Sequence, residues 1–251
     1  MIKMMILSRR RPGMTHAEFL TYNVDKHGVM VRANPVAIRR YLQHDIFDGA
    51  FGRVGDTNCD VTVGRDNVTE LYFDDMAGLV SLRTDPETRR SLNDGANYAD
   101  ATTAVVMIAN EIEIPVQNAG GGRLKIFQFL RKQDEVDAQN FRQVWQAAHD
   151  EALRRSGTAG EVRRVLWSEP VPQEPAAPPE TKSTESTTID SAMAAPQLCH
   201  GYSTIWYDRE ETGPGHFRAY VDEFTAATAG LIDHAGSFFL LAREQLIFDH
   251  S

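Results

Sequence analysis

His27 and His149 are the residues of this chain best suited to chemistry. His27 falls between Val24 and Val31 in an apolar stripe at helical spacing. Imidazole titrates near neutral pH, so a histidine facing an enclosed site can take a proton from a substrate or return one. We therefore predict His27 as a general acid or base and His149 as a candidate for the same role. Simple packing, with a hydrogen bond to a carbonyl group, is the open alternative.

Tyr41 and Glu70 are predicted to complete the catalytic set. The phenol of Tyr41 could donate a hydrogen bond to a substrate oxygen, and the carboxylate of Glu70 could orient His27 or share its proton. Glu70 could equally pair with Arg39 or Arg40 between sheets, and this second reading makes it structural.

The substrate site is predicted to be lined by Phe19, Asn23, Met30, Phe73 and, in a second copy of the motif, Trp145. On an α-helix Asn23 lies about 40° from His27, and Tyr22 lies about 140° away, so Tyr22 is predicted to pack rather than to reach the site. Trp145 stands where the first copy has Asn23. A large ring there narrows the pocket or offers a stacking surface.

No spacing in the sequence predicts a metal or a nucleotide, and we expect no cofactor. Metal-binding patterns such as HExxH or CxxC are absent from the sequence, and the glycines at 120–122 precede a strand rather than a helix. Cys59 and Cys199 have no zinc spacing and favour a reducing compartment, the cytoplasm by default. The net charge of -9 argues against nucleic acid or an anionic membrane as a partner.

The elements that position these residues occur twice. Residues 2–31 reappear in the same order of residue types as residues 124–153, at an offset that pairs Phe19 with Phe141 and His27 with His149. A period this long indicates a duplicated domain rather than a solenoid. The domains are predicted at 1–115 and 123–251, with a linker at 116–122 and a Pro-, Ser- and Thr-rich insertion at 170–197.

Each copy is predicted to fold as strand, helix, strand, strand, helix, strand. Thr15 and Glu18 have capping-box spacing at the start of the first helix, and Asp85-Pro86 interrupts the second. The fold class is therefore α+β, with two tandem ferredoxin-like βαββαβ units. Their free sheet faces can cover each other in an intramolecular dimeric α+β barrel, with a pocket in each half between sheet and helices.

Three runs of the first copy resemble the EthD family of the dimeric α+β barrel superfamily: RRRPGMTHAEFLTYNVDKHG, RRYLQH and TELYFDDMAGL. The resemblance covers residues 2 to about 114. The second copy departs from it at four places, where Pro12-Gly13, Tyr41, His44 and Glu70 are replaced by Asp134-Glu135, Val165, Ser168 and Thr204. If the chemistry depends on those positions, the resemblance implies an inactive second pocket.

Families similar to this one include proteins of ether degradation and polyketide pigment pathways, whose reactions proceed without metal or nucleotide. With the residues above, the resemblance implies a cofactor-independent lyase, dehydratase or cyclase acting on a small aromatic or polyketide-like molecule, with His27 as general acid and base. Open alternatives are a non-catalytic accessory protein that binds a small molecule, a haem- or oxygen-dependent enzyme, and a cofactor-free monooxygenase. The expected partner is a small hydrophobic substrate, and homodimerisation of the chain is left open.

Overall fold

The computed structural model describes residues 1–51, 64–171 and 199–250. Nearly all of the predicted insertion at 170–197, and also Cys59, lie outside these residues. Within the described parts of the chain, no helix is both long and apolar enough to cross a membrane.

The first half contains four strands and two helical segments in the predicted order. Its elements are β1 (Ile2–Ser8), α1 (His16–Tyr22), a π-helical turn (Asn23–Gly28), α2 (Val29–Ala33), β2 (Arg40–Phe51), β3 (Asn67–Phe73), α3 (Met76–Thr84), α4 (Pro86–Asp94) and β4 (Val105–Ile114). Thr15 caps α1 through the predicted reciprocal bonds with Glu18. Asp85 caps α4, whose first residue is Pro86. The predicted capping box and the predicted helix break are therefore confirmed.

The second half repeats this order of elements. They are β5 (Leu124–Lys132), α5 (Ala138–Arg155), β6 (Val162–Pro170), β7 (Gly201–Tyr207), α6 (Gly213–Ala227) and β8 (Ile232–Asp249). Asp137 caps α5 by accepting hydrogen bonds from the backbone N–H groups of Gln139 and Asn140.

The eight strands of the described residues form one closed antiparallel barrel in the order β1-β3-β2-β8-β5-β7-β6-β4. Each half supplies four adjacent strands, and the halves join where β2 pairs with β8 and where β4 pairs with β6. Closure leaves no free sheet edge between the halves, because every edge strand finds a partner in the other half. The mixed α+β class is confirmed, and the two predicted free sheet faces become the inner wall of the barrel.

Side chains alternate along each strand, so every strand contributes to two cores. The inner wall carries an apolar cluster that includes Met5, Val68, Phe127, Phe129 and Leu240. The outer faces pack on the helices in two separate clusters, one for each half. The candidate site lies in the helix-covered layer of the first half.

Candidate functional site

A cavity of ≈ 80 Å³ lies between the sheet and the helices of the first half. Its apolar wall includes Ile6, Val31, Ile38, Leu71, Leu82 and Leu92. Its polar wall includes Ser8, His27, Tyr41, Thr69, Thr88, Ser91 and Tyr98. One water molecule needs about 10–15 Å³ of such space, so the cavity holds several waters or a small organic group.

His27 lines this cavity, and its imidazole ring is oriented by a hydrogen bond to Asp94, the last residue of α4. The Nδ1 atom of His27 lies 3.1 Å from Oδ2 of Asp94. The hydrogen bond from His27, with others from Asn97 and Tyr22, lowers the pKa of Asp94 to about 2, although burial opposes this shift. The carboxylate is therefore ionised and can only accept hydrogen bonds. In its neutral form His27 consequently carries its proton on Nδ1 and keeps the lone pair on Nε2.

The π-helical turn changes which neighbours of His27 reach the site. α-Helical spacing predicted Asn23 beside His27 and Tyr22 turned away. A π-helix instead bonds residues five apart, so Tyr22 and His27 come onto the same face. The hydroxyl of Tyr22 donates to Oδ1 of Asp94 at 2.9 Å, and the buried amide of Asn23 turns to Gln43. Asn23 therefore does not line the cavity.

Tyr41 reaches the cavity from β2 and is held by a buried amide pair. Gln43 donates a hydrogen bond through Nε2 to the hydroxyl oxygen of Tyr41. The Oε1 atom of Gln43 accepts from Nδ2 of Asn23 at 2.8 Å and from Oγ1 of Thr69 at 3.0 Å, which fixes the orientation of the amide. Burial raises the pKa of Tyr41 well above its usual value, so the phenol stays protonated. Because its oxygen already accepts from Gln43, its own hydrogen is left to donate.

Glu70 lies on the opposite face of the sheet from Tyr41 and points into the barrel. It is fully buried between Lys3, at 3.0 Å, and Lys125, at 2.7 Å. Burial disfavours the charged form, but Lys125 and Lys3 outweigh it and hold the pKa of Glu70 far below its usual range. The predicted partnership with His27 is excluded by this placement, and the pairing with Arg39 or Arg40 is replaced by the two lysines.

The network around Glu70 joins the two halves of the chain. Lys125 on β5 donates to Glu70, to Nε2 of His44 at 2.7 Å and to Glu244 at 3.1 Å. His44 donates through Nδ1 to the carbonyl oxygen of Val68 at 2.8 Å. Burial and Lys125 lower the pKa of His44, so its imidazole is neutral and accepts from the ammonium group. The network is structural in form, because all three N–H bonds of Lys125 have acceptors.

Three other predicted substrate contacts do not belong to the cavity wall. Phe19 and Phe73 are fully buried, and the ring of Phe19 packs on Tyr98 at 5.5 Å. Met30 is half-buried on α2. The residues that line the cavity include none of these three. The apolar wall comes instead from β1, β3 and the helices.

The corresponding region of the second half is filled with aromatic rings. His149 is fully buried, and its Nδ1 lies 2.9 Å from the hydroxyl of Tyr220. Trp145 stacks on Trp167 with ring centroids 5.3 Å apart, and Trp167 also meets His149 edge-on. Burial lowers the pKa of His149 to about 4, so this imidazole is neutral at physiological pH.

Sequence reasoning missed Asp94, Tyr98 and the role of Tyr22. Asp94 lies far along the chain from His27 and is brought to it by the packing of α4 on the π-helical turn. The available signal was an acidic residue at a helix C-terminus, where the helix dipole disfavours negative charge. An acid kept at such a position indicates a partner elsewhere in the fold. For metal binding, the described residues contain no group of three or more His, Cys, Asp or Glu side chains that could hold an ion.

A family model matches most of the first half. Residues 11–102 match the family model of the EthD domain. Among curated proteins, none matches the chain. The expected resemblance to the EthD family is thereby confirmed over that segment.

Solved structures show the same fold at low sequence identity. An anthrone oxidase-like protein matches with a TM-score of 0.56 and 10% identity, covering 100% of this chain and 94% of the other. A candidate monooxygenase from Fusobacterium nucleatum matches at 0.51 and 7%, covering 98% and 92%. A mutant chlorite dismutase from Candidatus Nitrospira defluvii matches at 0.51 and 9%, covering 98% and 91%. At these identities the likeness shows the fold alone.

Proposed function

We propose that this protein is an acid–base enzyme acting on a small carbonyl- or hydroxyl-bearing molecule in the cavity of its first half. The observation that carries the proposal is the pairing of His27 with ionised Asp94 at the wall of a cavity that Tyr41 also lines. Two side chains of opposite hydrogen-bonding character, a lone pair on His27 and an O–H on Tyr41, then face one small space.

The proposed chemistry is proton abstraction followed by elimination or ring closure. Nε2 of His27 takes a proton from the carbon next to a carbonyl group, and the hydroxyl of Tyr41 donates a hydrogen bond to the oxygen on which negative charge develops. Asp94 stabilises the imidazolium that forms. In a dehydration, the imidazolium returns the proton to the departing hydroxyl, which leaves as water. This supports the lyase, dehydratase or cyclase class predicted from the sequence.

The size of the cavity limits what enters it. At ≈ 80 Å³ it is much smaller than the ≈ 300–1,000 Å³ of pockets that enclose drug-sized ligands. We therefore propose that only the reacting end of an aromatic or polyketide-like substrate occupies it. Asn34, an exposed residue of the wall, marks where the rest of the substrate would extend out of the cavity into solvent.

The residues around the histidines do not fit a haem. A porphyrin is too large for the cavity beside His27. Around His149, the rings of Trp145, Trp167 and Tyr220 occupy the space that a macrocycle would need. Oxygen chemistry without a cofactor needs the same base as elimination does, because a deprotonated substrate can react with oxygen directly, and the fold likeness to an anthrone oxidase-like protein makes it the second candidate.

The test begins with a thermal-shift screen of small aromatic ketones and phenols, followed by turnover of the binders under air and under nitrogen. His27→Gln is expected to lower kcat by about 10²–10⁴-fold, the usual contribution of a general base. Tyr41→Phe, which removes the donor and keeps the ring, is expected to give a smaller loss. His149→Gln is the matched control and is expected to keep kcat.

Two other results would assign the protein differently. Binding without turnover, unchanged in His27→Gln, would identify a non-catalytic binding protein. Turnover that consumes oxygen and stops under nitrogen would identify an oxidase. Equal turnover in His27→Gln and the parent protein would end the acid–base proposal.

We also propose that the two halves arose by duplication, with the boundaries predicted from the sequence. The repeated order of elements and the matching sheet orders β4-β1-β3-β2 and β8-β5-β7-β6 support this. An experimental structure with a different strand order in the second half would contradict it.

A further inference from the structure

The π-helical turn at Asn23–Gly28 interrupts the helical layer at the position of His27. Such turns are rare and occur frequently at functional sites, because they cost helical stability and persist where they are needed. In this chain α1, the turn and α2 follow one another without a break, so the turn shifts the register of side chains within a single helical rod.

The shift places two side chains on one carboxylate. Tyr22 donates to Oδ1 of Asp94 at 2.9 Å, and Nδ1 of His27 lies 3.1 Å from Oδ2. On an uninterrupted α-helix these residues would be about 140° apart and could not both reach Asp94. The ring of Tyr22 is itself held in place by two contacts. It stacks on the ring of Tyr98 with centroids 5.3 Å apart, and the ammonium nitrogen of Lys26 lies over it, 4.9 Å from its centroid.

We infer that Tyr22 is a positioning residue that acts on His27 through Asp94 and that the π-helical turn exists to make this contact. This inference rests on the proposed role of His27. Oδ1 of Asp94 accepts from Tyr22 and, at 2.9 Å, from Asn97, so the carboxylate cannot rotate without losing both bonds. Its other oxygen therefore stays aimed at Nδ1 of His27.

The consequence for chemistry concerns the tautomer of the imidazole. With Asp94 fixed, the proton of neutral His27 stays on Nδ1, and Nε2 keeps the lone pair that a base requires. A carboxylate that rotates would release Nδ1, and part of the population would carry the proton on Nε2, facing the cavity with an N–H. That fraction cannot accept a proton from a substrate.

The test reads the tautomer directly in the full chain. Long-range proton–nitrogen NMR spectra distinguish a protonated Nδ1 from a protonated Nε2, and the His27 signals are assigned by their loss in His27→Gln. The parent protein is expected to show the Nδ1–H form alone. Tyr22→Phe keeps the stacked ring and removes the hydroxyl, and we expect a mixture of both tautomers. Tyr220→Phe is the control, because its hydroxyl contacts His149 instead.

A second variant perturbs the turn without changing Tyr22. A Cβ atom at Gly28 would lie 3.2 Å from the carbonyl oxygen of Asn23, so in Gly28→Ala the backbone of the turn has to move by a few tenths of an ångström. It is expected to give the same tautomer mixture. An unchanged Nδ1–H signal in Tyr22→Phe, or in Gly28→Ala if Tyr22→Phe does not fold, would overturn the inference.

Kinetics separate this inference from the proposed function. In Tyr22→Phe, kcat is expected to fall about tenfold with KM unchanged, as expected for the loss of one hydrogen bond to a charged group. If the tautomer changes but turnover does not depend on His27, the proposed function fails and the positioning role stands. If turnover depends on His27 but the tautomer does not respond to Tyr22, the positioning role fails alone.

Discussion

Replacing Glu70 with glutamine is expected to destabilise the whole barrel. Glu70 is fully buried and lies 3.0 Å from the ammonium of Lys3 and 2.7 Å from that of Lys125. Glutamine has nearly the same shape but no charge, so the variant leaves two buried ammonium groups without their shared counter-charge. Removing one partner of a buried ion pair typically costs about 3–5 kcal/mol.

The structure places the expected loss near the lower end of that range. Lys3 keeps an ion pair with Glu111, and Lys125 keeps hydrogen bonds to His44 and Glu244. We therefore expect the free energy of unfolding to fall by about 3 kcal/mol in Glu70→Gln. Because Lys125 belongs to the second half and Glu70 to the first, the loss is one of contact between the halves.

Urea unfolding at neutral pH, followed by circular dichroism, measures this change. Glu113→Gln is the matched control, because Glu113 makes a comparable pair with Arg164 at 3.0 Å on the surface. The control is expected to cost at most about 1 kcal/mol. The double variant Glu70→Gln/Lys125→Met should lose less than the sum of the single losses, since each removes the same contact. A loss of unfolding free energy below about 1 kcal/mol in Glu70→Gln, with additive losses in the double variant, would refute the conclusion that this network stabilises the contact between the halves.

Two further predictions concern stability. The buried imidazoles of His149, whose pKa is lowered to about 4, and His44 stay neutral in the folded chain but protonate below pH 6.5 when it unfolds, so stability is full above that pH and falls toward pH 4. The slope of the unfolding free energy against pH, measured by urea unfolding between those pH values, reports how many protons are taken up on unfolding. In His149→Phe this number should fall by one, and an unchanged slope would contradict the burial argument. Trp145→Ala is expected to cost about 3–5 kcal/mol, because the ring is 2% exposed and stacked between Phe141 and Trp167. Val80→Ala, at a side chain 50% exposed, is its control, and similar losses in the two variants would show that Trp145 does not anchor the second core.

The elements of the fold follow closely from local sequence patterns. The capping box of Thr15 and Glu18 begins α1, Pro86 begins α4, and the alternating run after Asn67 becomes β3. These signals act over a few residues, through backbone hydrogen bonds and side-chain direction, so the sequence displays them directly. The same reasoning placed His27 on the helix that faces the cavity.

The site was less accessible to sequence reasoning because its contacts span the chain. Asn23 and Tyr22 exchanged their predicted roles, because a turn of π-helix cannot be recognised from α-helical spacing. Glu70 turned away from His27 because it shares its face of β3 with Val68 and Tyr72, and that face became the inside of the barrel. Local alternation shows that two faces exist but not which one meets the helices.

The sequence by itself determined where many strands and helices begin, the order of elements in each half and the segment that matches the EthD family model, because those features depend on neighbouring residues. The tertiary structure alone decided that Asp94 is the carboxylate that orients His27 and that Glu70 pairs with lysines from both halves. Those choices depend on which helix packs over which strand and on how the barrel closes, and both are set by the collective packing of residues far apart in the chain.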